Sequence, residues 1–80
     1  MNLVKIGRYI AEKRKSLGLT QRQLAEKLGK SDKSVSKWER GICLPDVSVY
    51  LELCGILGIS LNEFLAGEDI EIDNIEKKSE

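Results

Sequence analysis

Lys33 and Lys37 stand four residues apart in the stretch TQRQLAEKLGKSDKSVSKWERG, residues 20–41, so on a helix both ammonium groups face the same way. Such a pair can donate to the O6 and N7 acceptors of guanine in a DNA major groove, and equally to phosphate oxygens. Two solvated lysines with no ligand are the plainer alternative. Small polar residues, Ser31, Ser34 and Ser36, surround the pair. Asp32 is the discordant member, because phosphates repel it unless it accepts from a cytosine amino group or pairs locally.

The formal net charge is zero, but the charge is divided along the chain. Residues 1–41 carry eleven basic and four acidic side chains, net +7, whereas residues 42–80 carry two and nine, net −7. One end should therefore attract a polyanion and the other repel it, unless the division only reflects solvated faces. No catalytic grouping emerges: histidine is absent, no serine or cysteine has an evident base, and no glycine-rich phosphate loop follows a strand. An enzyme is not expected, and neither is a cofactor. Cys43 and Cys54 match no zinc spacing, so no metal is expected and both thiols should be buried and free.

The elements that must hold the lysines read as all-α. Asn2 can cap a first helix carrying Leu3, Ile6, Ile10 and Leu17 inward, stopped by Gly18. Arg14 falls on or beside that inward stripe and should need a carboxylate partner. Thr20 with Gln23 forms a capping box, so a second helix starts at about Gln21, turns Leu24, Ala25 and Leu28 inward, and ends at Gly29. Ser31 caps a third helix at about residues 32–40, with Val35 and Trp38 inward and Gly41 at its end.

Pro45 and Asp46 should open a fourth helix with Val47, Tyr50, Leu51, Cys54 and Leu57 on its apolar face, widened by Val49, Leu53 and Ile56. Gly58 closes it. Ser60 with Glu63 caps a short fifth helix packed by Leu61, Phe64 and Leu65. The expectation is a compact five-helix bundle over residues 1–67, followed by an acidic tail, residues 68–80. That tail could be frayed, could add a strand through Ile70 and Ile72, or could extend a helix through Ile72 and Ile75 into a dimer or partner contact. No apolar run approaches the roughly 20 residues of a membrane span and no signal peptide heads the chain, so no membrane contact and a cytoplasmic location are expected.

Counted from Gln21, alanine falls at the fifth position, glycine at the ninth and valine at the fifteenth. Ala25 permits close helix approach, Gly29 makes the turn, and Val35 fills the angle between the helices. With LGLTQRQLAEKLG, KWERG, the proline-led fourth helix and LGISLNEFL, the chain resembles the Xre family, the helix-turn-helix proteins of Cro and phage-repressor type, over about residues 3–66. Lys30 departs from the pattern, since many members have a hydrophobic residue there.

The resemblance implies a bundle of the phage-repressor DNA-binding type, with the second helix crossing the DNA backbone and the third in the major groove. It also implies site residues. Gln21 would contact phosphate from the first turn of the second helix; a surface cap residue is the alternative. Ser31, Asp32, Lys33, Ser36 and Lys37 would occupy the positions that reach bases, with Ser34 in the first-turn backbone network or on phosphate. Arg40 would approach phosphate, and Arg8, Lys5 and Lys30 would be weaker members of the same track. Glu39 would supply the carboxylate for Arg14, in a structural ion pair.

The function these expectations favour is a sequence-specific regulator of transcription, a repressor, acting on double-stranded DNA. A single small module binds a half-site weakly, so a homodimer is expected. The alternative is a protein-interaction module, such as an antitoxin that masks a partner protein, with the C-terminal tail as the contact.

Overall fold

The computed structural model describes residues 1–70. Its helices are α1 (Leu3–Ser16), α2 (Gln21–Leu28), α3 (Asp32–Glu39), α4 (Tyr50–Leu57) and α5 (Leu61–Ala66), with a 3₁₀ turn at Val47–Val49 leading into α4. Among the described residues there is no strand.

Side-chain oxygens start four of the five helices. The Asn2 carboxamide oxygen accepts from the Lys5 amide at 3.0 Å, and the Ser31 hydroxyl accepts from the Ser34 amide at 3.2 Å. Thr20 and Ser60 each form a reciprocal capping box, with Gln23 and Glu63 reaching back to the cap amides at 2.9 and 2.8 Å. Each cap gives a partner to amides that the helix itself leaves open.

The apolar faces meet in one core built from Ile6, Ile10, Leu24, Ala25, Leu28, Val35, Trp38, Val49, Leu53, Cys54, Leu57 and Phe64. Phe64 and the partly buried Tyr50 meet edge to face, ring centroids 5.0 Å apart, which joins α5 to α4. Where α1 crosses α3, Gly7 leaves no room: a Cβ there would lie 2.4 Å from the Trp38 carbonyl oxygen and 2.6 Å from that of Glu39. The two backbones touch at this glycine.

The structure corrects several expectations. Pro45 and Asp46 do not open α4: Asp46 makes no side-chain cap bond, and the 3₁₀ turn intervenes before Tyr50. That turn resets the phase of the apolar row. Val49, Leu53 and Leu57, spaced by four, go inward with Cys54, whereas Val47 and Leu51 are left 77% and 80% exposed. Leu17 is half exposed because α1 stops at Ser16 and Leu17 is its C-cap, and Leu3 in the first turn is also exposed. Cys54 is buried and free, but Cys43 is exposed, since it lies in the loop between α3 and the 3₁₀ turn.

Beyond Gly67 the chain returns to α1. Glu68 pairs with Lys5, the Tyr9 hydroxyl donates to Asp69 at 2.7 Å, Lys13 lies 2.9 Å from the same carboxylate, and the Ile70 amide donates to Glu63 at 3.0 Å. The strand reading through Ile70 and Ile72 and the helical reading through Ile72 and Ile75 depend on residues 71–80, which lie outside the described residues.

Candidate nucleic-acid interface

The interface begins with the turn between α2 and α3. Gly29 adopts φ +68° and ψ +29°, a left-handed conformation that costs glycine little, and the Lys30 amide donates to the Ala25 carbonyl at 2.9 Å, closing the end of α2. Three residues, Gly29 to Ser31, then separate the helices. Ala25 and Val35 are 1% and 0% exposed, so the inner angle of the pair is filled.

Lys30 fits the turn by means other than the hydrophobic residue usual there. Its ammonium pairs with Asp46 at 3.2 Å, which ties the turn to the segment before the 3₁₀ turn and spends its charge locally. Lys5 is likewise taken by Glu68, while Arg8 is exposed without a carboxylate within pairing distance among the described residues.

Behind α3 stands a buried ion pair. Arg14 donates from Nε to Glu39 Oε2 at 2.5 Å and from Nη2 to Oε1 at 3.0 Å, a two-pronged fork, and from Nη1 to the Leu19 carbonyl at 2.7 Å. The two side chains are only 10% and 7% exposed, so the fork holds the C-terminal end of α3 against α1. Gln21 joins this network. Its Nε2 donates to Glu39 Oε1 at 2.9 Å, which fixes the first turn of α2 beside the end of α3. The side chain expected on phosphate thus uses one donor inside the domain and keeps one more on the same nitrogen.

The outer edge of α3 carries the remaining expected residues. Ser31, Asp32, Lys33 and Lys37 are exposed, as is Arg40 at the C-cap. Lys33 and Lys37 have no carboxylate within pairing distance among the described residues, so both ammonium groups are free to meet an external anion. Asp32 sits in the first turn of α3, where the positive end of the helix dipole stabilises a carboxylate without any base contact. Ser31 and Ser34 face each other at 3.1 Å between hydroxyl oxygens, which places both in the capping network. Ser36 is half-buried; its hydroxyl and carbonyl accept from Arg40 Nε at 3.1 and 3.3 Å, so the guanidinium lies back along α3 with its terminal nitrogens uncommitted in these bonds. The edge is therefore a row of small polar groups around two unpaired lysines, on a helix fixed from behind.

Sequence reasoning missed three contributors. Gly7 sets the distance from α1 to α3, and its only signal was a glycine inside an otherwise continuous helical pattern. The pairs Lys30–Asp46 and Lys13–Asp69 join residues 16 and 56 positions apart and left no local trace. Among the described residues no group of histidine, cysteine, aspartate or glutamate is arranged to hold a metal, and no helix is long and apolar enough to cross a membrane.

Residues 10–64 match the family described as Helix-turn-helix. The chain belongs to that family, in its Xre or Cro and phage-repressor form. Within the family it is 32% identical over 75 residues to the HTH-type transcriptional regulator ImmR of Bacillus subtilis (strain 168), covering 94% of this chain. It spans only 55% of that relative's length. The helix-turn-helix fold superposes on the P22 c2 repressor protein in complex with a synthetic operator with a TM-score of 0.74, at 32% identity over 79% of this chain and 96% of that one. The restriction-modification controller protein C.AhdI from Aeromonas hydrophila gives 0.70, at 33% identity over 79% and 91%. The clp gene regulator ClgR from Corynebacterium glutamicum gives 0.73, at 27% identity over 84% and 71%.

Proposed function

We propose that this chain is a sequence-specific, double-stranded-DNA-binding regulator of transcription that represses by occupying its site, and that it is not an enzyme. The observation that carries this reading is the outer edge of α3, where Lys33 and Lys37 are exposed and without carboxylate partners among the described residues, on a helix whose inner face is fixed by Val35, Trp38 and Glu39. Family membership and the likeness to an operator-bound repressor support it.

In the proposed complex α3 enters the major groove. Lys33 and Lys37 donate to guanine acceptors or to flanking phosphates, Ser31, Asp32 and Ser36 complete the groove-facing surface, and Arg40 and Gln21 meet the backbone on either side. Gln21 would do so while still holding Glu39, so a phosphate contact on α2 would bear directly on the clamp behind α3. Two copies about one helical turn apart would supply affinity that one half-site cannot, in a cytoplasmic homodimer.

Selection of bound sequences from a random duplex pool at physiological salt tests the function, and palindromic enrichment is the expected result. For the selected site, Lys33→Ala with Lys37→Ala should weaken binding at least about 10-fold. Undiminished affinity in that double variant would remove this edge as the reading surface.

A further inference from the structure

Three residues after α5 make a set of contacts that the proposed DNA-reading edge does not use. Glu68 pairs with Lys5, and Asp69 takes both the Tyr9 hydroxyl at 2.7 Å and the Lys13 ammonium at 2.9 Å. Lys13 also lies over the Tyr9 ring, 5.4 Å from its centroid. The Ile70 amide donates to Glu63, whose other carboxylate oxygen accepts from the Ser60 amide, so the cap of α5 anchors the segment from the other side. Tyr9 is 5% exposed and fixes the register, whereas the two carboxylates stay in solvent: the Glu68 and Asp69 side chains are 58% and 70% exposed.

We propose that Glu68 and Asp69 act as an intramolecular stand-in for DNA phosphate, occupying the Lys5 and Lys13 cations of α1 and so lowering the chain's sequence-independent attraction to DNA. Carboxylate and phosphate oxygens compete for the same ammonium donors, and pairs this exposed are weak enough to exchange. Non-specific affinity depends on the number of cations free to displace counterions, so removing two from the basic half raises the contrast between operator and bulk DNA. The lysines of α3 remain open while Lys5 and Lys13 of α1 are covered. This inference rests on the DNA-binding reading above, and the measurements below separate the two.

The test measures binding of the full chain to a random-sequence duplex and to its selected operator across a salt series. In Glu68→Gln with Asp69→Asn the random-duplex slope of log K against log salt should steepen by about one to two, since each added phosphate contact contributes about 0.9. The ratio of operator to random affinity should fall. Lys5→Gln with Lys13→Gln added to that variant should restore the original slope. Tyr9→Phe keeps both ion pairs but removes the register bond, and should steepen the slope by a smaller amount. A charge-matched control, Glu12→Gln with Glu52→Gln, alters the same formal charge without freeing a lysine and should leave the slope nearly unchanged.

An unchanged slope in the Glu68/Asp69 variant, with operator binding intact, overturns the inference and leaves the regulator reading standing. Equal steepening in the charge-matched control also overturns it, by reducing the effect to net charge. Steepening on random duplex with no selectable operator supports the inference and counts against sequence-specific regulation.

Discussion

The first helix is tied to distant parts of the chain twice, by the same chemistry in different surroundings. Arg14 meets Glu39 in a fork whose two side chains are 10% and 7% exposed, while Lys5 and the partly covered Lys13 meet Glu68 and Asp69, whose carboxylates lie mostly in solvent. In the first case both charges have left water and depend on each other. In the second each partner keeps enough water to do without the other. One set of contacts fixes the recognition helix and the other can be released, and burial makes the difference.

The sharpest way to break this contrast is Arg14→Ala. It strands the buried Glu39 carboxylate with Gln21 as its remaining partner and should cost about 3 to 5 kcal/mol in chemical denaturation. Exchanging both partners for apolar residues, Arg14→Met with Glu39→Leu, should cost less than the single change, because no charge is left buried. A single variant as stable as the parent would show that the fork is not closed to water.

Next comes Gly7→Ala, at the contact the fork reinforces. The added methyl would press on the backbone carbonyls of Trp38 and Glu39, which cannot swing away, so a loss of about 1 to 3 kcal/mol is expected. The loss should be accompanied by weaker operator binding as α3 is displaced. On the solvated side, Tyr9→Phe removes one hydrogen bond to an exposed carboxylate that water can re-solvate, and the denaturation midpoint should register about 0.5 to 1 kcal/mol.

The smallest effect is a pH dependence confined to the solvated segment. The Tyr9 hydroxyl and Lys13 hold the Asp69 carboxyl below the ordinary carboxylate range, and the Ile70 and Ser60 amides do the same for Glu63. Both groups therefore contribute stability above the unfolded carboxylate range, and lose it as the pH falls through their depressed folded values. Burial, with the bond to Asp69, pushes the Tyr9 hydroxyl well above its usual value of 10.0, so its contribution is complete below pH 10.0 and declines as the pH rises beyond it. Amide exchange at Ile70 followed from pH 6 to pH 3 should show protection falling at the acid end. Protection that is flat over this range would mean that the carboxylates do not hold the segment.

Much of the fold was legible because it is written in short-range signals. Thr20 with Gln23 and Ser60 with Glu63 begin helices where their spacing says, Gly29 ends one, and Arg14 on an apolar stripe announces a missing carboxylate. The fourth helix shows the limit. Pro45 and Asp46 look like a start, yet the 3₁₀ turn moves the start to Tyr50 and drops Val47 and Leu51 from the expected apolar face, leaving Val49 and Leu53 in the core. A shift of two residues in phase is invisible to periodicity when nearly every position in the stretch is apolar.

The sequence by itself determined where α2, α3 and α5 begin, the charge division and the family pattern, because capping and periodicity act over three or four residues. Only the tertiary structure decided which cations are spent. Lys30 on Asp46 and Lys13 on Asp69 are joined across loops, as the neutral Gln21 amide is to Glu39, and the free energy of such contacts depends on burial and approach that no local spacing encodes. Lys33 and Lys37 keep their charge at the surface for the same reason: the packing that buries Val35 and Trp38 turns them outward, beyond reach of the carboxylates that pair with Lys5, Lys13 and Lys30.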